Sequence, residues 1–263
     1  MRRIGPIVAM AVVLTACATS PLGRQQLVLM PEEQLDAMGA AAFQQVSQTT
    51  PRTENPAVSS YVNCVAQAIT REAGGSGTWE VAVFEDEAVN AFALPGGRIG
   101  VYRGLLDVAD TPDELAAVIG HEVAHVLARH ANERVSQQFA AEQGLALLES
   151  LTSGVGSGTQ KTLMALLGVG AQVGVLLPYS RLQESEADKI GVDLMAQAGF
   201  DPRGSIQLWR DMQQAGGADP PEFLSTHPAT ETRIAELQGR MEHAMGLYQQ
   251  ARGAGKRPDC VPP

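Results

Sequence analysis

The feature that most constrains this chain is the pattern HExxH at residues 121–125. Positions four apart on a helix differ in direction by only about 40°, so His121 and His125 point the same way if the segment is helical. Two imidazoles on one face can share one metal ion, and zinc is a metal that such nitrogen atoms commonly bind. Glu122 lies one step round the helix, where it can accept a proton from a water molecule without binding the ion. The alternative is two solvent-exposed histidines beside an ordinary surface glutamate.

The residues before this pattern predict the helix that it requires. Thr111 suits the N-cap, Pro112 the first helical position, and Glu114 the third position, where it completes a capping box. We expect one helix from here to about Arg134. His130 lies five residues beyond the second histidine of the pattern, about 140° away on such a helix, and is expected to be a structural or surface residue.

A group of acids on a later predicted helix supplies candidates for a third ligand. Glu184 and Asp188 are four residues apart and share a face, whereas Glu186 points roughly 160° from their mean direction. One of the two carboxylates can bind the metal while the other accepts the remaining N–H of a ligand histidine, which fixes its tautomer and ring orientation. Helical spacing alone leaves open which acid does which, and the alternative is a solvent-exposed acidic face.

The hydrophobic period along the chain predicts an α+β fold that is mainly helical. Amphipathic helices are expected at residues 31–48 and 57–71. The period then changes to alternation, and short extended runs at 79–83, 91–94 and 100–102 predict a small, largely antiparallel sheet. Nearly everything after residue 105 is predicted to be helical. Within that part, the uncharged residues 162–177 are expected to form a buried core helix, with a membrane-dipping lid as the alternative.

The N-terminus has the organisation of a secretory signal. Arg2 and Arg3 precede residues 4–16, which carry no charge. These 13 residues are too few for a bilayer span, which needs about 20. We therefore expect residues 1–16 to be a cleaved signal peptide, with a short transmembrane anchor as the alternative.

The end of that signal resembles the lipobox of bacterial lipoproteins. Residues 14–17 are Leu-Thr-Ala-Cys, and in such lipoproteins the cysteine, here Cys17, becomes the acylated first residue. Ala18 follows it where Asp would imply retention at the inner membrane. We therefore expect a protein that is lipid-anchored to the periplasmic face of the outer membrane, with residues 17–30 as the lipidated tether.

Charge and cysteine count restrict the partners and the compartment. The chain has 29 acidic and 19 basic residues, a formal net charge of −10. Because phosphate binding needs a basic surface, nucleic acid is not expected as a partner. Cys64 and Cys260 remain beside the lipobox cysteine, and an even number in an oxidising compartment predicts one disulfide. Two unpaired thiols are the alternative.

Four ordered motifs make the sequence resemble the gluzincin metallopeptidases that include HtpX and the CAAX prenyl proteases. The resemblance is strongest to their periplasmic lipoprotein branch, which includes LoiP and BepA. The motifs are NAFALPGG at 90–97, DELA before HExxH at 113–125, ExxAD at 184–188, and THP at 226–228 with an arginine at 233. The resemblance implies a zincin-like metalloprotease domain over residues 31–250, followed by a coil tail at 251–263.

The resemblance also implies roles for the candidate residues. One zinc ion per chain is expected on His121, His125 and Glu184, which the family pattern favours over Glu186. Glu122 is expected to be the general base, and Asp188 to support a ligand histidine.

Two residues near the C-terminus have more than one expected role. His227 matches a histidine that in BepA-like members can cap the metal and hold the enzyme shut. It could equally stabilise the developing oxyanion, as could Arg233. A further alternative is that His227 only caps a helix beginning at Pro228.

The extended run of Asn90, Ala91, Phe92 and Ala93 is expected to bind substrate. A strand at the edge of a cleft can pair with an extended peptide through main-chain hydrogen bonds, which suits unfolded chains of broad sequence. Ordinary sheet packing is the alternative, and both can hold together.

The resemblance therefore implies a zinc metalloendopeptidase of the bacterial envelope. Its expected substrates are misfolded or unassembled periplasmic and outer-membrane proteins. The alternative is a latched, mostly non-proteolytic chaperone or assembly factor that works with the outer-membrane assembly machinery.

Overall fold

The computed structural model describes residues 17–74, 78–150, 179–215, 221–228 and 231–263. The expected signal peptide at 1–16 and the uncharged segment at 162–177 lie outside the described residues. In chain order the described elements are β1 (Cys17–Thr19), β2 (Gln25–Leu27), α1 (Glu32–Thr49), α2 (Pro56–Glu72), β3 (Glu80–Phe84), β4 (Ala91–Leu94), β5 (Arg98–Tyr102), α3 (Pro112–Leu127), α4 (His130–Ser150), α5 (Arg181–Ala198), α6 (Arg203–Ala215), α7 (Glu222–Thr226) and α8 (Glu231–Gly253). A mainly helical α+β fold is confirmed. None of the described helices is both long enough and apolar enough to pass through a bilayer.

The main sheet has three strands in the order β3-β5-β4. Strands β4 and β5 are antiparallel, with Ala91 opposite Val101, and β1 and β2 form a second antiparallel pair. Strands β3 and β5 are parallel, which differs from the expected largely antiparallel pairing. The reason is that β5 returns from a tight hairpin with β4 and inserts beside β3, so it runs in the same direction as β3. Among the described residues β4 is therefore an edge strand.

Each face of this sheet packs against a different apolar cluster, because successive strand residues point to opposite faces. One face joins the core formed by α2, α3 and α5, into which Ala93, Ile99 and Val101 point. The other face packs on α1 and carries an aromatic cluster of Phe43, Phe84, Phe92 and Tyr102. The sheet thus fixes β4 between the helical core and α1.

Helix α3 begins as predicted but ends earlier. Thr111 Oγ1 accepts from the Glu114 N–H at 3.2 Å, and Glu114 Oε2 accepts from the Thr111 N–H at 3.1 Å. The expected end near Arg134 is wrong, because α3 stops at Leu127. Arg129 has a φ of 55°, in the left-handed region, and this turn separates α3 from α4.

Helices α3 and α5 cross in very close contact at two glycines. A Cβ on Gly191 would lie 2.8 Å from the backbone nitrogen of His121, and one on Gly120 would lie 2.8 Å from the Gly191 carbonyl oxygen. Because neither residue has a side chain, the two helix backbones can touch here. The crossing brings the first histidine of HExxH next to the acidic face of α5.

Both ends of the described chain are fixed to the helical core. The structure joins Cys64 on α2 to Cys260 in a disulfide, across a sequence separation of 196 residues. At the other end, residues 17–30 were expected to be a tether, but β1 and β2 form a hairpin that leads into contacts with α4. The Leu29 N–H donates to Ser136 Oγ at 2.8 Å, and the Met30 N–H donates to Asn132 Oδ1 at 3.3 Å.

Candidate metal centre

Four buried side chains from three parts of the chain converge on one point. Helix α3 contributes His121 and His125, α5 contributes Glu184, and the residue after α7 is His227. One ligand atom from each of the four lies within 4.8 Å of the others. The two Nε2 atoms of His121 and His125 are 3.1 Å apart, and each lies 3.4 Å from an oxygen of Glu184. The predicted ligands are therefore brought together.

The arrangement of polar atoms fits a bound cation. Glu122 Oε1 is buried and accepts no hydrogen bond from the described residues, and Glu184 Oε2 is buried beside Arg233 Nη1, at 2.7 Å. Buried carboxylates and converging ring nitrogens are costly unless a cation compensates them. Imidazole nitrogens with one carboxylate oxygen form a donor set that zinc commonly takes.

Burial and hydrogen bonding shift the pKa values of the ligand residues in different directions. Burial lowers the pKa of the His125 imidazole well below its usual value. Burial alone would lower the pKa of His121 too, but hydrogen bonds to Asp188 and Glu184 raise it to about 9. For Glu184, burial opposes ionisation, yet the charge of His227 and the hydrogen bonds of the histidines hold the pKa well below the usual range. Glu184 is therefore an ionised carboxylate, as a metal ligand must be.

Asp188 and Arg233 orient the ligand residues His121 and Glu184 through hydrogen bonds and an ion pair. Asp188 Oδ1 lies 3.1 Å from His121 Nδ1, which leaves Nε2 of that ring free for a metal ion. Arg233 donates from Nε to Asp188 Oδ2 at 2.7 Å and from Nη2 to Oδ1 at 2.8 Å, and its Nη1 is the atom beside Glu184. Its guanidinium carbon also lies 4.2 Å from the centre of the Trp209 ring. The arginine thus fixes Glu184 and Asp188, and its expected contact with an oxyanion stays a prediction.

Glu122 connects the ligand cluster to the edge strand. Its Oε2 accepts from the N–H of Ala93 at 3.2 Å, and its Oε1 lies 3.4 Å from Nε2 of His227. Burial raises the pKa of this carboxyl above its usual value. The N–H of Ala93 points away from β5, so the outer edge of β4 faces the cluster.

The residues predicted to bind substrate divide between two environments. Ala91 and Ala93 lie on the face of the sheet that joins the helical core, whereas Phe92 points into the aromatic cluster on the other face. Asn90 donates from Nδ2 to Glu222 Oε1 at 2.8 Å, which connects the start of the strand to α7. Sheet packing therefore accounts for Phe92, and the main chain of β4 remains the candidate for binding a peptide.

Sequence reasoning missed two residues of the centre. His130 is fully buried, with its Nδ1 2.8 Å from Nδ1 of His125, because the helix breaks before it and the expected 140° rotation does not apply. Of the two positions expected for it, structural or surface, the surface position is wrong. The Tyr179 ring lies 4.0 Å from the ring of His125, between centres, and 5.3 Å from that of His227. Tyr179 precedes the N-cap of α5 and carries no local sequence signal for this position.

A cleft of about 180 Å³ opens beside the cluster. Its walls come from the segment after β2, from α1, from the end of β4 and from the end of α3. The apolar wall residues include Val28, Met30, Leu35, Ala93, Pro95 and Tyr179, and His125 lies on the same wall. The cleft is large enough for a side chain of a peptide paired with β4.

The sequence is similar to known proteins of one peptidase family. The model of peptidase family M48 matches residues 52–241, which includes all four motifs. The mitochondrial metalloendopeptidase OMA1 of Schizosaccharomyces pombe is 37% identical over 181 residues, or 68% of this chain and 51% of that protein. The beta-barrel assembly-enhancing protease of Escherichia coli is 28% identical over 221 residues, or 81% of this chain and 45% of that protein. The chain thus spans about half the length of these relatives.

Proposed function

Because the chain belongs to peptidase family M48, we propose that it is a zinc-dependent endopeptidase that cleaves misfolded or unassembled proteins of the bacterial envelope. The observation that carries this proposal is the position of Glu122. It lies between four converging ligand side chains and the N–H of Ala93 on an edge strand. A base, a metal-ligand set and a peptide-binding edge therefore meet at one point.

The side chains of the site have different roles in peptide hydrolysis. His121, His125 and Glu184 would hold a zinc ion, which would supply Lewis-acid chemistry for polarising a carbonyl and lowering the pKa of water. Glu122 accepts the proton of the attacking water and returns it to the leaving amine. Its raised pKa suits both transfers, because a base works best when its pKa is near the working pH.

The main chain of β4 positions the substrate. An extended peptide that pairs with the outer edge of the strand places its backbone beside Glu122, and the adjacent cleft takes one of its side chains. Recognition through backbone hydrogen bonds needs an unfolded segment and little particular sequence. This favours misfolded or unassembled proteins as substrates, and the similarity to the beta-barrel assembly-enhancing protease of E. coli supports a role near outer-membrane assembly.

The proposed location rests on Cys17. We propose that this residue is acylated after loss of residues 1–16, which anchors the protein to the periplasmic face of the outer membrane. Strand β1 begins at the same cysteine, so the anchor would hold the peptidase close to the lipid surface. Mass spectrometry of the protein made in a Gram-negative host tests this: an acyl adduct on Cys17, lost in Cys17→Ser, supports it, and an intact N-terminus contradicts it.

A latched state is a second candidate, and the position of His227 favours it. Its Nδ1 lies 2.9 Å from Glu184 Oε1 and 3.2 Å from His121 Nε2, so the imidazole takes a place among the ligand atoms. The Phe223 ring stacks on it, with ring centres 4.5 Å apart, and holds it there. A protein imidazole in the fourth position would exclude substrate and favour a chaperone-like role.

The test uses zinc-loaded protein, unfolded casein and three variants. We expect wild type to cleave casein, Glu122→Gln to bind zinc without cleaving, and Glu33→Gln, an exposed change on α1, to behave as wild type. Cleavage by Glu122→Gln at the wild-type rate would contradict the proposal. If wild type is slow and His227→Ala is faster, the latched state is supported. If His227→Ala is slower, His227 assists the reaction and the latch is excluded.

A further inference from the structure

A continuous line of polar contacts runs from the metal ligand His125 to the N-terminal hairpin. His125 Nδ1 lies 2.8 Å from His130 Nδ1, and His130 Nε2 lies 3.2 Å from Glu186 Oε2. Glu186 in turn accepts from the Ser20 hydroxyl and from Arg24 Nε, the latter at 2.8 Å. All of these groups are buried except Arg24, whose side chain is 17% exposed.

The contacts fix the tautomer of both rings. If His125 binds the metal through Nε2, its Nδ1 carries the proton and donates to His130. His130 must then accept at Nδ1, so its proton is on Nε2, where it donates to Glu186. A ligand histidine usually donates its second N–H to a carboxylate, a backbone carbonyl or a water molecule, and His121 donates to Asp188. For His125, the neutral ring of His130 stands between the ligand and its carboxylate.

At the end of this series of contacts, Glu186 depends on the positive charge of Arg24 in the N-terminal hairpin. Arg24 donates to Glu186, and also from Nη1 and Nη2 to the two oxygens of Glu133, at 2.6 and 2.7 Å. Glu133 accepts a further bond from Gln183 Nε2 at 2.8 Å. Two carboxylates with little access to solvent thus share one guanidinium. Without Arg24, Glu186 would lose the charge that keeps it ionised and oriented toward His130.

We propose that His130 is a positioning residue for His125, and that Arg24 in the N-terminal hairpin holds it in place through Glu186. This rests on the proposed function in that His125 must be a metal ligand. The segment directly after the expected acylated cysteine is then a structural support of the metal centre. Its removal is expected to weaken zinc binding, although none of its residues is among the four candidate ligands.

The first test reads the tautomers of the wild-type protein, so it does not depend on a variant that folds. Long-range ¹H–¹⁵N spectra of the zinc-loaded full chain distinguish the two protonated ring nitrogens. We expect His125 as the Nδ1–H form and His130 as the Nε2–H form. A His130 ring that is protonated at Nδ1 would overturn the proposal.

The second test measures zinc affinity by competition with a chromophoric chelator. Loss of a support of this kind typically costs about 10–100-fold in metal affinity, and we expect such a loss in His130→Phe, which keeps an aromatic ring but can neither accept nor donate a hydrogen bond. His130→Gln should recover most of it, since its carbonyl can accept from His125 and its amide can donate to Glu186. Arg24→Met should show a smaller loss. His243→Phe, on the exposed surface of α8, is the matched control.

The outcomes separate this proposal from the proposed function. If wild type binds no zinc, the proposed function fails. If wild type and His130→Phe bind zinc equally tightly, only the positioning role fails. The Co²⁺ absorption spectrum of each variant adds a readout of ligand geometry that a general loss of stability would not change. We expect it to differ from wild type in His130→Phe and to return in His130→Gln.

Discussion

The contact between Gly120 and Gly191 allows a sharp test of how the two halves of the metal centre are held together. Replacing Gly191 with alanine places a Cβ 2.8 Å from the His121 nitrogen, 2.9 Å from the Gly120 carbonyl carbon and 3.0 Å from its oxygen. Ordinary contact begins at about 3.4 Å, so the helices must separate by about 0.6 Å. All three contacted atoms are backbone, and no side chain can rotate away to relieve the overlap.

The expected cost has two parts. Overpacking of this kind typically lowers the free energy of unfolding by about 1–3 kcal/mol, which lowers Tm by several degrees in a chain of this size. The separation also moves Glu184 and Asp188 away from His121 by more than the roughly 0.5 Å within which a site must be held. Casein cleavage should therefore fall by about tenfold or more.

The assay compares Gly191→Ala with Gly246→Ala by thermal unfolding, zinc competition and casein cleavage. A Cβ on Gly246, on the long helix α8, meets no atom within 4 Å. That substitution should leave activity unchanged and gain up to about 1 kcal/mol of stability from helix propensity. If Gly191→Ala matches wild type in both Tm and zinc affinity, the close crossing does not hold the centre and the reasoning is wrong.

Two further predictions concern stability. Burial would raise the pKa of Glu186, but hydrogen bonds from His130, Ser20 and Arg24 lower it to about 2. The ionised Glu186 contributes its whole stabilisation above the unfolded-state pKa of about 4.5, and this contribution is lost as the pH falls from about 4.5 toward 2. In denaturant titrations, the free energy of unfolding of the metal-free protein should therefore fall by on the order of 3 kcal/mol over this pH range. A Glu186→Gln variant whose free energy of unfolding falls by the same amount would contradict the prediction. Reduction of the Cys64–Cys260 disulfide opens a loop of 196 residues and should lower the free energy of unfolding by up to about 5 kcal/mol, whereas an unchanged denaturation midpoint after reduction would show that the bridge does not stabilise the fold.

Local signals predicted the parts of the site that depend on one helix at a time. The capping box at Thr111 and Glu114 involves residues three apart, and the common direction of His121 and His125 follows from helix geometry alone. The shared face of Glu184 and Asp188 was predicted in the same way. The resemblance then assigned different roles to the two acids. The structure places Glu184 in the ligand cluster and Asp188 beside Nδ1 of His121, and their roles stay predictions.

Contacts between distant segments could not be predicted from the same signals. The helix break at Arg129 turns His130 back toward His125. A single residue in the left-handed backbone conformation leaves no mark in the hydrophobic periodicity, so it could not be predicted. The parallel pairing of β3 with β5 depends on which strand inserts between the others. Arg24 lies in a polar segment with no clear period, and its role depends on two glutamates more than 100 residues away.

We propose that one zinc ion, held by His121, His125 and Glu184, allows Glu122 to act as the base in peptide hydrolysis. The most direct test is to titrate zinc into metal-free protein while measuring the rate of casein cleavage. We expect the rate to rise in proportion to zinc and to saturate at one equivalent per chain, with no cleavage by Glu122→Gln at any ratio. Cleavage that persists without metal, or that is as fast in Glu122→Gln as in wild type, would contradict it.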